Sequence, residues 1–285
     1  MQTLHTFRIE FHKELHAYYP AEEIDSLFYI VVDEILSISR LKAQVDLQQE
    51  VNNSFIGRMN DVMDSLRKQI PIQHILGHAP FYGFDFEVNE HTLIPRPETE
   101  ELVHLLIHQE KDRKCPHILD IGTGSGCIAI SLAKLISTAS VEGMDISSEA
   151  LAVAKRNATK LNAQVCFTTV DILDWRNFES KKATYDVIVS NPPYITPAEK
   201  KEMSVQVLDH EPHGALFVKE TDPLIFYREI AAFAAVHLSQ GGALYFEINQ
   251  YLAEETKNVV QAQGFSKVII LDDINGAKRM LFCLR

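Results

Sequence analysis

A short apolar strand, His117-Ile118-Leu119-Asp120, runs into Ile121-Gly122-Thr123-Gly124-Ser125-Gly126 and then into an apolar helical run, Cys127 to Ile136. Strand, glycine turn and helix in that order open an alternating α/β sheet built to hold a nucleotide-like ligand. The glycines let the backbone turn tightly and approach a ligand with no Cβ in the way. A phosphate-binding P-loop needs Lys and then Ser or Thr after its last glycine, and here Cys127-Ile128 follows. The dinucleotide fingerprint needs Gly or Ala three residues after its second glycine, and Cys127 stands there. What remains is acid-x-Gly-x-Gly-x-Gly, with Asp120 as the acid.

Two further acids share this setting. Val141-Glu142-Gly143-Met144-Asp145 reads as a second strand. Its terminal carboxylate lies about 20 residues past the glycine loop, where ribose hydroxyls are held in such folds. Val165 to Val170 reads as a third strand, followed by Asp171. One such Asp is ordinarily a strand-end cap; three at successive strand ends beside the glycines point to a site. Asp120, Gly122, Thr123, Gly124 and Gly126 resemble the S-adenosylmethionine loop of class I methyltransferases. That cofactor carries an amino group and a sulfonium rather than a pyrophosphate, which suits acids. The resemblance also implies Asp145 and Ile146 at the ribose, and Asp171 accepting from the adenine amino group with Ile172 flanking the ring.

The second informative segment is Asn191-Pro192-Pro193-Tyr194, after an apolar stretch, Tyr185 to Val189, that reads as a buried strand. Pro192 has no N–H and a fixed φ, and it pushes Asn191 toward an extended conformation. The result is a rigid polar corner. The Asn191 carbonyl and nearby backbone carbonyls can converge as acceptors, and Tyr194 can lay a ring beside them. Such a corner suits holding a planar NH2 group by both hydrogens. Alone, it would as readily be a Pro-rich loop; beside the glycine loop it reads as the reacting half of a site, with Asn191 touching both cofactor and substrate.

At 285 residues the chain holds one large domain or two smaller ones. Residues 1 to about 70 read as helical, with apolar residues at three- and four-residue spacing over Leu4 to Tyr18, Ala21 to Ser37 and Asn53 to Gln69. Phe81 to Val88 alternates with aromatics, as a β-hairpin linker does. A helix is expected from about Glu98 to Gln109, then alternating strands and helices. Gly242 to Ile248, Val268 to Leu271 and Arg279 to Leu284 suggest a closing antiparallel hairpin. The expected division is 1-76, helical; 77-97, hairpin linker; and 98-285, the catalytic α/β domain.

The net charge of −12 argues against an extended nucleic-acid surface. No apolar run reaches the roughly 20 residues of a membrane span, and the N-terminus lacks a signal-peptide pattern. The four cysteines are scattered without metal spacing, so reduced core thiols of a cytosolic protein and no metal are expected. Nothing in the sequence demands more than a monomer.

Several segments together resemble the HemK/PrmC methyltransferases, which modify the glutamine of the Gly-Gly-Gln loop in peptide chain release factors. They are Pro71-Ile72-Gln73-His74-Ile75-Leu76-Gly77, Leu93-Ile94-Pro95-Arg96-Pro97-Glu98-Thr99-Glu100, Asp120 to Gly126, and Asn191 to Tyr194. Weaker matches are Glu211-Pro212 with Ala215-Leu216, and Asp272-Asp273 with Gly276 and Arg279. The most specific is Ile94 to Glu100, which generic amino-methyltransferases sharing Asn-Pro-Pro-Tyr lack.

The resemblance implies a Rossmann-like, seven-stranded, mostly parallel sheet with a C-terminal antiparallel hairpin. It implies S-adenosyl-L-methionine as cofactor, S-adenosyl-L-homocysteine as product and a release factor as partner in the cytoplasm, with the N-terminal helices as a substrate-recognition domain. Asn191 Oδ1 and the Pro192 carbonyl would take the two amide hydrogens, with Pro193 stiffening the corner and Tyr194 against the amide plane. Arg96 would meet the substrate backbone or pair with Glu98 or Glu100. Phe81 and Tyr82 would line the substrate channel or form the hairpin's core face. One departure is visible: Asn249 stands where the family often has Gly, and Asn tolerates the left-handed region, so the turn is expected to survive. Two other readings stay open: an adenine amino-methyltransferase acting on DNA or RNA, and an S-adenosylmethionine-binding regulatory protein without turnover.

Overall fold

The computed structural model describes residues 2–177 and 184–285. Met1 and residues 178–183, which fall within the expected first and third segments, lie outside the described residues. The chain divides into two compact units, Met1–Gly77 with Ser204–His210, and His78–Met203 with Glu211–Arg285.

The first unit is helical: Leu4–Leu15, Ala21–Leu36, Arg40–Val45, Asn53–Arg67 and Ile72–Leu76, joined by Val205–His210. Its apolar positions converge on a core of Phe7, Phe11, Phe28, Phe55 and Met59. Phe7 meets Phe55 edge-on at 5.7 Å and Phe11 meets Phe28 at 5.6 Å, the offset geometry aromatic pairs favour. Thr3 and Asn52 cap two of the helices, and Asn52 Oδ1 accepts from the Phe55 N–H at 2.9 Å, satisfying a donor the helix leaves unpaired. The short helix Arg40–Val45 carries apolar Leu41 and Val45 in solvent, 71% and 82% exposed.

The second unit begins with a hairpin, β1 (His78–Phe81) and β2 (Phe84–Glu87). Both turn residues, Tyr82 and Gly83, have positive φ, 49° and 78°, as a two-residue hairpin with matching twist requires. The first strand therefore starts earlier than the aromatic stretch. The hairpin packs Phe81 and Phe86 into the core of the second unit.

The remaining strands are β3 (His117–Ile121), β4 (Ser140–Asp145), β5 (Val165–Thr169), β6 (Tyr185–Ser190), β7 (Leu238–Glu247), β8 (Lys267–Asp272) and β9 (Lys278–Leu284). They form one seven-stranded sheet in the order β5-β4-β3-β6-β7-β9-β8. Pairing is parallel from β5 through β7, and β9 inserts antiparallel between β7 and β8. This is the expected architecture, including the closing hairpin. The central strands are buried on both faces, so they read as near-continuous apolar runs. One face packs Leu119, Ile188, Leu244 and Phe246 against the helix Ile225–His237. The other packs Ile118, Val187, Val189 and Tyr245 under the helices Pro97–Glu110 and Cys127–Leu135. The thiol expectation holds only in part: Cys283 is buried, whereas Cys115 and Cys166 are exposed. Among the described residues no helix is long and apolar enough to cross a membrane.

The chain leaves β3 toward β4 and β5 on one side, and β6 continues on the other. β3 and β6 therefore flank the topological switch point, where open α/β sheets bind ligands beyond the strands' C-terminal ends. Ile121 is paired with Ser190, and Ser190 Oγ donates to the Ile121 carbonyl at 2.6 Å. The glycine loop and the Asn191 corner thus leave neighbouring strands at the same level.

Candidate active site

The glycine loop is tied down from below. The N–H groups of Gly122 and Thr123 donate to the Met144 carbonyl at 2.8 and 3.0 Å. Gly122, Gly124 and Gly126 have φ of 74°, 54° and 81°, a region L-residues disfavour. Their roles differ. A Cβ on Gly122 or Gly124 would meet nothing, whereas one on Gly126 would lie 2.9 Å from Ile130 Cδ1 and 3.1 Å from the Ala154 Cβ. Gly126→Ala is therefore expected to lose about 2–4 kcal/mol of stability, from left-handed strain and overpacking together. Gly122→Ala is expected to lose only the strain, about 1–2 kcal/mol. Urea unfolding of the two variants checks the order; equal losses would contradict it.

Asp120 is wholly buried. Its Oδ2 accepts from Thr123 Oγ1 at 2.6 Å and from the Ala129 N–H at 3.2 Å, at the head of the helix Cys127–Leu135. Oδ1 has no hydrogen-bond partner among the described residues. Burial pushes the carboxyl up to about 7, against the pull of those two donors and with a further push from Asp145. Asp145 closes the next strand end: Oδ2 accepts from the Gly124 N–H and Oδ1 from the Ser147 N–H, each at 2.9 Å. Burial raises its pKa too, opposed by those backbone donors. At the end of β5, Asp171 Oδ1 accepts from the Leu173 N–H at 2.8 Å. Ile172 joins the core on one face of the sheet, whereas Ile146 is 65% exposed. An unpartnered buried carboxylate oxygen and two glycines open where a Cβ would point fit a ligand carrying a cationic group. Three successive strand ends bring Asp120, Asp145 and Asp171 to one side of the sheet.

At the end of β6, Asn191 is oriented by a chain of hydrogen bonds that sequence reasoning missed. Its Nδ2 donates to Thr99 Oγ1 at 3.1 Å, and Thr99 Oγ1 donates to Glu247 Oε2 at 2.6 Å. Tyr194 Oη donates to the other oxygen, Glu247 Oε1, at 2.9 Å. Glu247 ends β7 and is 2% exposed. Burial raises its pKa, while Thr99, Tyr194 and the charge of Arg279 pull the other way. The Tyr194 phenol is pushed well above its ordinary value by burial and by the Glu247 charge, so it stays a donor. With the amino side committed to Thr99, Asn191 is left with its carbonyl oxygen as acceptor. Pro192 is buried behind this corner, and Pro193 is half-buried beside it.

The turn after β7 corrects one expectation. Asn249 has φ −66°, so no left-handed residue is needed there. Its Nδ2 instead donates to the Tyr194 carbonyl at 3.0 Å and to Glu199, and its Oδ1 accepts from the Tyr251 N–H at 2.8 Å. Asn249 thus braces the Asn191–Tyr194 corner, which the sequence reading did not anticipate.

Arg96 pairs with Glu211, whose other oxygen accepts from the Ile94 N–H at 3.1 Å. The partner is thus neither Glu98 nor Glu100; Glu100 accepts from the Tyr82 N–H at 2.7 Å. Phe81 is 1% exposed and meets Phe86 edge-on at 6.0 Å. It is the hairpin's core face, not a channel wall, because period-2 alternation turns it inward with Phe86. Thr99 and Glu247 had one weak signal each in the sequence. Thr99 lies inside the Ile94–Glu100 segment, and Glu247 is a lone acid at the end of an apolar strand, as Asp120 is.

Residues 99–217 match the family model of the methyltransferase small domain. A methyltransferase from Pyrococcus furiosus superposes with a TM-score of 0.50 over 80% of this chain and 98% of its own, at 18% identity. The hMettl16 catalytic domain does so at 0.55 over 71% and 75%, at 16% identity. The fold is that of a class I methyltransferase. Relatives over nearly the whole chain narrow this. A release factor glutamine methyltransferase of Flavobacterium psychrophilum is 43% identical over 96% of both chains. That of Bacteroides thetaiotaomicron is 41% identical over 94% of this chain and 95% of its own, and that of Bacillus subtilis 37% over 87% and 86%. The chain belongs to the release factor glutamine methyltransferase family.

Proposed function

We propose that this protein transfers a methyl group from S-adenosyl-L-methionine to the side-chain amide nitrogen of the glutamine in the Gly-Gly-Gln motif of peptide chain release factors. The observation that carries the chemistry is the Asn191 corner at the end of β6, level with the glycine loop at the end of β3. The substrate rests on the shared name of relatives that align over nearly the whole chain. That name also favours a protein amide over an adenine amine.

The residues that would hold the cofactor are Asp120 for its amino group, Gly122 to Gly126 along its backbone-facing side, Asp145 for ribose hydroxyls with Ile146 beside it, and Asp171 with Ile172 around the adenine. When bound, S-adenosylmethionine supplies a methyl group made electrophilic by its sulfonium. An amide nitrogen is a poor nucleophile because its lone pair is delocalised into the carbonyl. Asn191 Oδ1 and the Pro192 carbonyl accept the two amide hydrogens and fix the orientation of the nitrogen. In a site shielded from water such acceptors stabilise the positive charge that builds there. Orientation of this kind contributes roughly 7–11 kcal/mol when two reactants are well aligned. Tyr194 packs against the amide plane. No strong base is needed, since an N-methylated, still cationic amide gives its proton to water. The helical unit would recognise the body of the release factor, and its exposed Leu41 and Val45 are suited to that contact.

The test is transfer of labelled methyl to purified, unmodified release factor, with an unmethylated DNA duplex in parallel. Label on the release factor, lost when its Gly-Gly-Gln glutamine is changed, supports the proposal. Label on the DNA alone, or on neither, overturns it.

A further inference from the structure

We propose that Thr99 and Glu247 are positioning residues that set which face of the Asn191 amide meets the substrate. The proposal rests on the functional reading above. An Asn amide presents an acceptor on one side and a donor on the other, and the two are nearly isosteric. Only one orientation serves: a substrate NH2 needs the oxygen, and a flipped amide would set NH2 against NH2. Asn191 is therefore useful only if something breaks this near-symmetry.

The break comes from a one-way relay. A carboxylate accepts and cannot donate. Glu247 receives Thr99 Oγ1 on Oε2 and Tyr194 Oη on Oε1, at 2.6 and 2.9 Å. Thr99 has a single hydroxyl hydrogen, and it is spent on Glu247. Thr99 Oγ1 can then only accept from Asn191, which must turn Nδ2 toward it at 3.1 Å. Asn191 Oδ1 is left for the substrate. Each link dictates the next, from an acid on β7 through a hydroxyl on the helix Pro97–Glu110 to the reacting corner after β6. Thr99 and Glu247 are both buried, so water does not offer an alternative donor at modest cost. The relay also gives Thr99, in the segment Ile94–Glu100, a chemical task.

The relay predicts a ranking. Thr99→Val keeps the shape and removes the hydroxyl, freeing the amide to flip. Thr99→Ser keeps the hydroxyl. Glu247→Gln adds a donor, which can point at Thr99 Oγ1, reverse the hydroxyl and hold Asn191 in the wrong orientation. Single-turnover methylation of release factor is expected to fall about 10- to 100-fold in Thr99→Val, the scale of a misaligned reacting group. The apparent KM for release factor and the cofactor Kd should stay within about twofold, since ground-state binding is not what is lost. Thr99→Ser should retain rates within about threefold, and Glu247→Gln should fall below Thr99→Val. In the wild type the Asn191 side-chain NH2, assigned by 15N labelling, should be protected from hydrogen exchange, and in Thr99→Val it should lose that protection.

Wild-type rates in Thr99→Val, or an equal loss in Thr99→Ser, would overturn the proposal while leaving the function intact. Should either variant fail to fold, protection of the Asn191 NH2 in the wild type decides alone, and unprotected hydrogens there refute the relay. A wild-type enzyme that methylates no release factor would refute the functional reading, and this proposal with it.

Discussion

Asn191→Ala is expected to lower the rate of methyl transfer by about a thousandfold, the upper range for losing one aligned polar group in a preorganised site. Cofactor affinity should change by no more than about threefold, because the loop and the three strand-end acids proposed to hold the cofactor are untouched. The asymmetry follows from the layout. Asp120, Asp145 and the glycines are set by β3, β4 and the helix Cys127–Leu135, whereas Asn191 is set by Thr99 and the end of β6. Alanine removes the acceptor and leaves Thr99 still donating to Glu247, so the surrounding network keeps its shape. Calorimetric titration with S-adenosylmethionine and a single-turnover assay on the same sample separate the two effects. Unchanged turnover would refute the role given to Asn191, and lost cofactor binding would show that the corner also holds the cofactor's frame.

Asp120→Asn should do the reverse. It should weaken cofactor binding roughly 10- to 100-fold, the scale of one charge-assisted hydrogen bond, while stabilising the cofactor-free protein at alkaline pH. The sign follows from linkage. Burial raises the carboxyl from 3.8 to about 7, so the folded protein holds this proton more tightly than the unfolded chain. The stability that comes with that proton is complete below about 4 and is lost as pH rises through about 7. Asparagine mimics the protonated form and does not titrate. The melting temperatures of wild type and variant should therefore be closest below about pH 4, separate as pH rises from about 4 to about 7, and differ by a steady amount above that, with the variant higher. A variant that is less stable at pH 8 than at pH 5 relative to wild type would contradict the buried, half-partnered carboxylate. The trade is of a kind common at functional sites, where a group kept for binding costs stability in the empty fold.

Much of the second unit could be read from the sequence because its signals are local. Acid-x-Gly-x-Gly-x-Gly fixes a strand, a tight turn and a helix within twenty residues, and Asn191-Pro192-Pro193-Tyr194 fixes a corner within four. Fully buried parallel strands such as Ile118–Leu119 and Val187–Val189 announce themselves as apolar runs. The relay was not legible, because Thr99, Asn191 and Glu247 are brought together by three different elements and no spacing links them. For Arg96 the sequence offered the substrate or the nearby Glu98 and Glu100 as partners; its partner Glu211 instead comes from the far side of β6 in sequence. Asn249 was read by backbone preference alone, and the structure uses its side chain instead. Phe81 was ambiguous because an aromatic in a hairpin can face either way, and only packing against Phe86 decides it.

The measurement that tests the central claim most directly is fragment-resolved mass spectrometry of a release factor incubated with this enzyme and S-adenosylmethionine. The account predicts one added methyl group, located on the side-chain nitrogen of the Gly-Gly-Gln glutamine and formed about a thousandfold more slowly when Asn191 is alanine. A methyl group on any other residue, or one that forms at the wild-type rate with Asn191→Ala, would contradict it.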